Sequence, residues 1–276
     1  MPTAWSDAMR SQVYALRTTS IFAIEAGAGP LVVCMHGITA NAYVFEPILQ
    51  LLANDFRVVS IDQRGHGRSG RPERYEAEDF ADDVGALVDE LASGPAVLLG
   101  HSLGARNAFV AANLHPRQVR SVVAVDFTPF IEPRVLEELE SRVKGGDRTF
   151  ADLGEVERYL SQRYPLLPPD AIRRRARHGY RETKDGYRPL ADARAMALTA
   201  AGLKASLEST VESLHHRTIL VRGAHSKLVS AEAFARTRDL RPDLEAAEVA
   251  DADHYVPEEQ PAAIAELVRR AAGAQA

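Results

Sequence analysis

Val97 to Ala112 reads VLLGHSLGARNAFVAA: an apolar run, then a turn of small residues, then apolar positions at helical spacing. A single serine, Ser102, stands at the joint between Gly100 and Gly104. G-x-S-x-G after a strand and before a helix is the setting in which a chain turns sharply enough to hold a hydroxyl out at a sheet edge. The glycines let the helix pass close to the strand, and the helix N-terminus favours developing negative charge. A serine that only caps the helix is the plainer alternative. The rest of the chain decides between them, according to what else it brings to the same edge.

Short β-branched runs flank this stretch and predict strands over 11–17, 19–25, 30–35, 56–61, 96–100, 120–126, 218–222 and 244–249. The first two, in QVYALRTTSIFAIEAG, predict an antiparallel start. From LVVCMHG onward, strands alternate with helical patterns such as Ala77 to Ser93. That is the order of a mostly parallel sheet covered on both faces. About ninety residues separate VVAVD from TILVRG, with turn marks at KGGD, PLLPPD and KDGYRP. They are too many for one crossover. They predict a helical cap over 130–213, inserted into a core of 1–129 and 214–276.

Composition narrows the function. The chain has 276 residues and a net charge of -5, enough to bury one large core. The absence of a long basic run argues against nucleic acid as partner. No apolar stretch approaches the roughly 20 residues a membrane helix needs. MPTAWSDAMR lacks the charged-then-apolar order of a signal peptide, and Cys34 is the only cysteine, so a cytoplasmic setting is expected. The quaternary state stays open, a homodimer included.

A serine becomes a nucleophile only when a base takes its proton. Of nine histidines, His36 and His66 lie in the glycine turns MHGIT and RGHGRSG, where backbone shape is the simpler demand, and His101 is the serine's neighbour. His115, His178, His215, His216 and His225 have no motif of their own. His254, in VADADHYVPEEQP, follows the last predicted strand and precedes a final helix, so its loop returns to the same edge as Ser102. It is the candidate base.

The acid is less obvious. RGAHSKLVS, after the penultimate strand, carries no Asp or Glu, and Ser226 stands where the acid would be expected. SVVAVDFTPF instead places Asp126 at another strand's carboxyl end, the position from which a carboxylate can orient the imidazole. Asp251 and Asp253 are nearer His254 in sequence but read as turn residues. Asp62 is expected to fix its own loop.

The order Ser102, Asp126, His254, together with HGIT after the first parallel strand and the loop DQRGHGRSGRP, resembles the α/β-hydrolase superfamily across essentially the whole chain. The resemblance implies an α/β-hydrolase fold: an eight-stranded, mostly parallel sheet with helices on both faces and an inserted cap. It also implies an oxyanion hole formed by the backbone N–H groups of Ile38 and Leu103. Ser102 excludes the relatives that use an aspartate nucleophile, the haloalkane dehalogenases and epoxide hydrolases. No histidines or carboxylates fall at recognised metal-ligand spacing, so neither metal nor cofactor is expected.

The cap must name the substrate, since the fold does not. In FADLGEVERYLSQRYP, Leu153, Val156 and Leu160 mark one helical face, which Arg163 continues; in PRVLEELESRVKGG, Val135 and Leu139 lead to Arg142 in the same way. A guanidinium on an apolar side needs an anion, unless it merely suits a helix C-terminus. Tyr164 could donate into the same cavity or pack in the core. Consecutive arginines in AIRRRARHGYR cannot share one face, so that run is expected to be solvated.

With Asp126 before the cap and Ser226 in the usual acid position, Arg142, Arg163 and Tyr164 resemble the branch of the superfamily that cleaves the enamide of a small dicarboxylate. This implies that Arg142, Arg163, Tyr164 and Ser226 bind substrate. The products implied are acetate and an enamine that breaks down to succinic semialdehyde, ammonia and carbon dioxide. Covalent attack by Ser102 and direct attack by water are both open. So are a carboxylesterase, lactonase or carbon-carbon bond hydrolase, which need no paired arginines, and a receptor that binds without turnover.

Overall fold

The protein is described by a computed structural model covering residues 9–273. Eight strands form one sheet: β1 (Arg10–Ala15), β2 (Ser20–Ala26), β3 (Leu31–Met35), β4 (Arg57–Ile61), β5 (Ala96–His101), β6 (Val119–Val125), β9 (Arg217–Gly223) and β10 (Glu245–Val249), in the spatial order β1-β2-β4-β3-β5-β6-β9-β10. β1 and β2 pair antiparallel with each other, and β2 antiparallel with β4. The remaining pairs are parallel. The eight strands thus lie within a residue or two of those read from the sequence.

β3 and β5 are buried along their whole length, because helices cover both faces. Alternation along β3 sends Val33 and Met35 into one core and Val32 and Cys34 into the other. α2 (Ala77–Leu91) and α3 (Leu103–Leu114) cover the first core, with Phe80 aside, through Val84, Leu87, Ala108 and Phe109. α1 (Glu46–Leu52) and α11 (Pro261–Ala272) cover the second through Ile48, Leu52, Ile264 and Val268.

The joint between β5 and α3 is where the sequence motif becomes geometry. Ser102 has φ +53°, ψ -113°, a conformation that L side chains rarely adopt, and it immediately precedes α3. A Cβ on Gly104 would lie 2.0 Å from the Met35 carbonyl oxygen, and one on Gly100 would lie 2.4 Å from the Gly104 backbone. Both positions must therefore be glycine for the helix to cross the strand ends this closely.

Between β6 and β9 the chain builds α4 (Pro133–Gly146), α5 (Leu153–Arg163), α6 (Pro169–Gly179), β7 (Tyr180–Thr183), β8 (Gly186–Pro189), α7 (Ala193–Gly202) and α8 (Glu208–Glu212). Part of this insert has a small core of its own, with Phe150, Val156, Leu160, Leu167 and Ile172. The helical expectation for this interval missed one feature. β7 and β8 form an antiparallel hairpin, pairing Tyr180 with Pro189 and Thr183 with Gly186 around the KDG turn. The hairpin's residues are mostly half-exposed and polar, so they carry no apolar alternation to read. α9 (Ala231–Leu240) joins β9 to β10, and after β10 come the loop of residues 250–255 and the short helix α10 (Val256–Glu259).

Candidate active site

Ser102 and Asp126 stand side by side because β5 and β6 are neighbours in register, with His101 opposite Val125. The Ser102 amide donates to the Val125 carbonyl at 2.9 Å, and the Asp126 amide to Val221 at 2.7 Å. Asp126 also has positive φ, +50°, so the backbone turns abruptly at the end of each strand. Its carboxylate is buried and fully engaged. Oδ1 accepts from the Gly223 amide at 3.0 Å, while Oδ2 accepts from Ser226 Oγ and from His254 Nδ1, each at 2.6 Å.

A carboxylate can only accept here, so the Nδ1 contact places the His254 proton on that nitrogen and leaves Nε2 with a lone pair. His254 is 7% exposed and lines a cavity together with Ser102. Its loop is braced from several sides. The Asp253 carboxylate accepts from the amides of His254 at 2.8 Å and Lys227 at 3.2 Å, and His101 Nε2 donates to the His254 carbonyl at 2.7 Å. Burial, then the neighbouring His254, pushes the His101 pKa well below its ordinary value. Asp253 thus serves the turn, and Asp62 ties its own loop to the segment that follows β3, accepting from Arg68 and Ala42 amides at 2.7 and 2.6 Å.

Ser226 requires a correction. It was expected to touch substrate, but its hydroxyl donates to Asp126 and accepts from the Val229 amide at 3.1 Å. It is a buried support for the carboxylate, spent on both sides.

Ile38 and Leu103 flank Ser102 on the cavity wall. Leu103 opens α3, so its amide has no acceptor within the helix. A Cβ on Gly37 would lie 3.3 Å from Ser102 Cβ, so the HGIT turn passes tightly against the serine. His36 fixes that turn from below: Nδ1 donates to the Gly37 carbonyl at 2.7 Å and Nε2 accepts from the Gln63 amide at 3.1 Å.

The insert supplies the rest of the wall. Arg163, at the end of α5, shares a cavity with Ser102 and His254. Its Nε and Nη1 donate to the hydroxyls of Tyr164 and Tyr159, at 3.0 and 2.8 Å. Burial disfavours its charge, but the two tyrosines outweigh this and its pKa is raised. Tyr164 is buried and packs edge-on against Tyr255, the residue after His254. The side chain of Arg142 lies outside the described residues.

Arg175 is a further wall residue that no sequence motif marks. Its guanidinium lies 4.6 and 4.8 Å from the ring centres of Tyr164 and Tyr255 and lines the same cavity. It pairs with Glu258 of α10 through Nε, at 3.0 and 2.9 Å, and through Nη2. Burial opposes the charge, but the Glu258 carboxylate more than offsets it, and the pKa is raised. Arg173 and Arg177 of the same run are exposed, but the side chains of Arg174 and Arg175 are each only 10% exposed, so the run is solvated on one side alone. A signal was available: Arg175 follows Ala171 and Ile172 by four and three positions, on the helix face that Ala176 continues, and all three of these neighbours are buried.

A strand-end serine shares a cavity with an imidazole held by a buried carboxylate, an arrangement suited to hydrolysis, and the comparison with known families places the chain among hydrolases. The alpha/beta hydrolase fold family matches residues 30–261, and the chain belongs to it. It is 52% identical over 238 residues, 86% of each sequence, to the 2-(acetamidomethylene)succinate hydrolase of Mesorhizobium japonicum. It superposes with a TM-score of 0.93 on the crystal structure of an E-2-(acetamidomethylene)succinate hydrolase, at 47% identity, covering 96% of this chain and 99% of that one. A thioesterase domain from the curacin biosynthetic pathway shares the fold, with a TM-score of 0.82 at 23% identity over 95% of this chain and 99% of that one. Among the described residues, no helix is long and apolar enough to cross a membrane.

Proposed function

We propose that this protein is a cofactor-independent serine hydrolase that cleaves the enamide bond of a small dicarboxylate, (E)-2-(acetamidomethylene)succinate or a near relative. The observation that carries the reading is a single cavity in which Ser102 and His254 share walls with Arg163 and Tyr164. The similarity to enzymes named for that substrate supports it. Residues 130–213 act as the cap over a core of 1–129 and 214–276. Arg163, Tyr164 and Arg142 hold the carboxylates. The setting is cytoplasmic, in keeping with a lone, buried, free Cys34.

In this reading His254 Nε2 takes the Ser102 proton as Oγ attacks the acetyl carbonyl carbon, and Asp126 stabilises the imidazolium that forms. The Ile38 and Leu103 amides hold the oxyanion. Collapse breaks the C–N bond, with His254 returning the proton to the leaving nitrogen. Water activated by His254 then releases acetate from Ser102. The enamine consumes a second water and loses ammonia and carbon dioxide, leaving succinic semialdehyde. The sharp turn that presents the Ser102 hydroxyl at the strand end supports the covalent route.

The test is turnover of the acetamido diacid against a neutral acetyl ester of similar size, with acetate and succinic semialdehyde quantified. The diacid is expected to have the higher kcat/KM, and rapid-quench mass spectrometry to find an acetyl group on the Ser102 peptide. Preference for the neutral ester would indicate a general esterase, and no turnover of either would indicate a receptor.

A further inference from the structure

Two chambers meet at Ser102 and His254, and their walls differ in kind. One holds Arg163, Tyr164, Arg175 and Tyr255. The other, of about 70 Å³, is walled chiefly by Phe127, Ile131, Val135, Leu139, Leu203 and Val229. The few polar groups of the second chamber are already engaged or of the wrong sign for a carboxylate. Arg106 donates from Nη1 and Nη2 to the carbonyls of Ala205 and Gly202, at 3.0 and 3.1 Å, so its cation is spent on the end of α7. Thr128 Oγ1 donates to the Phe130 carbonyl at 2.6 Å. Glu132 is exposed and carries negative charge.

A dicarboxylate leaving group therefore belongs in the first chamber, and the substituent on the carbonyl belongs in the second. Acetyl offers that chamber a single methyl group, whereas the chamber has room for several groups of water size. We infer that the enzyme has an apolar acyl subsite that takes linear acyl groups longer than acetyl. Its substrate class is then N-acyl enamides of small dicarboxylates, with acyl chains of four to six carbons among them. The chemistry is unchanged: the C–N bond breaks, one water is consumed at the acyl carbon, and the corresponding fatty acid replaces acetate. This inference rests on the proposed roles of Ser102 and Arg163 for the direction in which substrate lies.

The experiment compares N-acetyl, N-butyryl and N-hexanoyl forms of the same enamide diacid, and in parallel p-nitrophenyl acetate, butyrate and hexanoate. Burial of each added methylene should raise kcat/KM, by up to about fourfold per methylene. A butyryl enamide at or above the acetyl value is the expected result, and one below it overturns the inference. The esters carry no carboxylate and so read the chamber alone. If no enamide turns over while the esters favour longer chains, the dicarboxylate reading fails and the acyl subsite stands. Ala233 lines the chamber from α9, and Ala233→Phe or the smaller Ala233→Leu should narrow it. Either should raise the acetyl-to-hexanoyl ratio of kcat/KM at least about tenfold by removing room for the chain. An unchanged ratio in a folded variant would place the acyl group elsewhere.

Discussion

The sheet edge and the insert meet at one cavity but hold their residues in different ways. At the edge, position is set by backbone. Ser102 and Asp126 sit at the ends of paired strands with φ of +53° and +50°, and glycines allow the helix to approach. Asp126 is then locked by three hydrogen bonds. In the insert, position is set by side chain on side chain: Arg163 on two tyrosine hydroxyls, Arg175 between two rings and a carboxylate. A backbone-built site can run one chemistry for many relatives, while a side-chain-built wall can be rewritten by a few substitutions. The proposed function thus assigns chemistry and choice of substrate to separate parts of the chain.

The largest effect should come from the edge. Asp126→Asn is expected to lower kcat by about 10⁴-fold, because the amide neither holds the right tautomer of His254 nor stabilises its charged form. Diacid and neutral ester should fall together, since the edge acts on both. Loss on the diacid alone would blur the division between the regions. Steady-state kinetics on a variant with an unchanged circular dichroism spectrum makes the comparison.

A second prediction concerns the seam between the two regions, where Arg175 of α6 meets Glu258, four residues after His254. Glu258→Gln leaves a buried guanidinium without its carboxylate and should cost about 3–5 kcal/mol of stability in urea unfolding. Replacing both partners, Arg175→Met with Glu258→Leu, should recover most of that loss. A single variant as stable as the parent would show that the pair does not join insert to core.

The smallest effect is a pH dependence. Burial first, then repulsion from Asp253 and Glu258, pushes the Glu259 pKa up to about 7 from its ordinary 4.5. The folded state then binds more protons than the unfolded state between those values, so this group makes stability fall as pH rises from about 4.5 to about 7. Glu259→Gln should remove that component, giving a flatter Tm-against-pH curve than the parent. Parallel curves would mean that Glu259 does not titrate in this window.

The same contrast explains what could be read from the sequence. Backbone-set features leave composition and order in the chain: glycines at a turn, β-branched runs, a carboxylate at a strand end. Ser102, Asp126 and His254 could be named in this way before their geometry was known. Side-chain-set features leave less. Arg175 was hidden among consecutive arginines, and its partner Glu258 lies 83 positions away, where no local pattern links them. Ser226 stands out in the sequence only because its loop lacks an acid, and its place beneath Asp126 follows from the fold. The β7–β8 hairpin escaped because a half-exposed ribbon need not alternate apolar and polar residues.

The most direct test of the division is Arg163→Ala, assayed on the enamide diacid and on a neutral acyl ester of similar size. Loss of a buried charge partner should cost the diacid about 2–5 kcal/mol of transition-state binding, roughly 30- to 5,000-fold in kcat/KM. The neutral ester, which never uses the charge, should stay within about threefold. Arg163→Lys should recover only part of the diacid loss, because lysine lacks the planar fork. Equal losses on both substrates would mean that Arg163 holds the insert together rather than choosing the substrate, and would contradict the account.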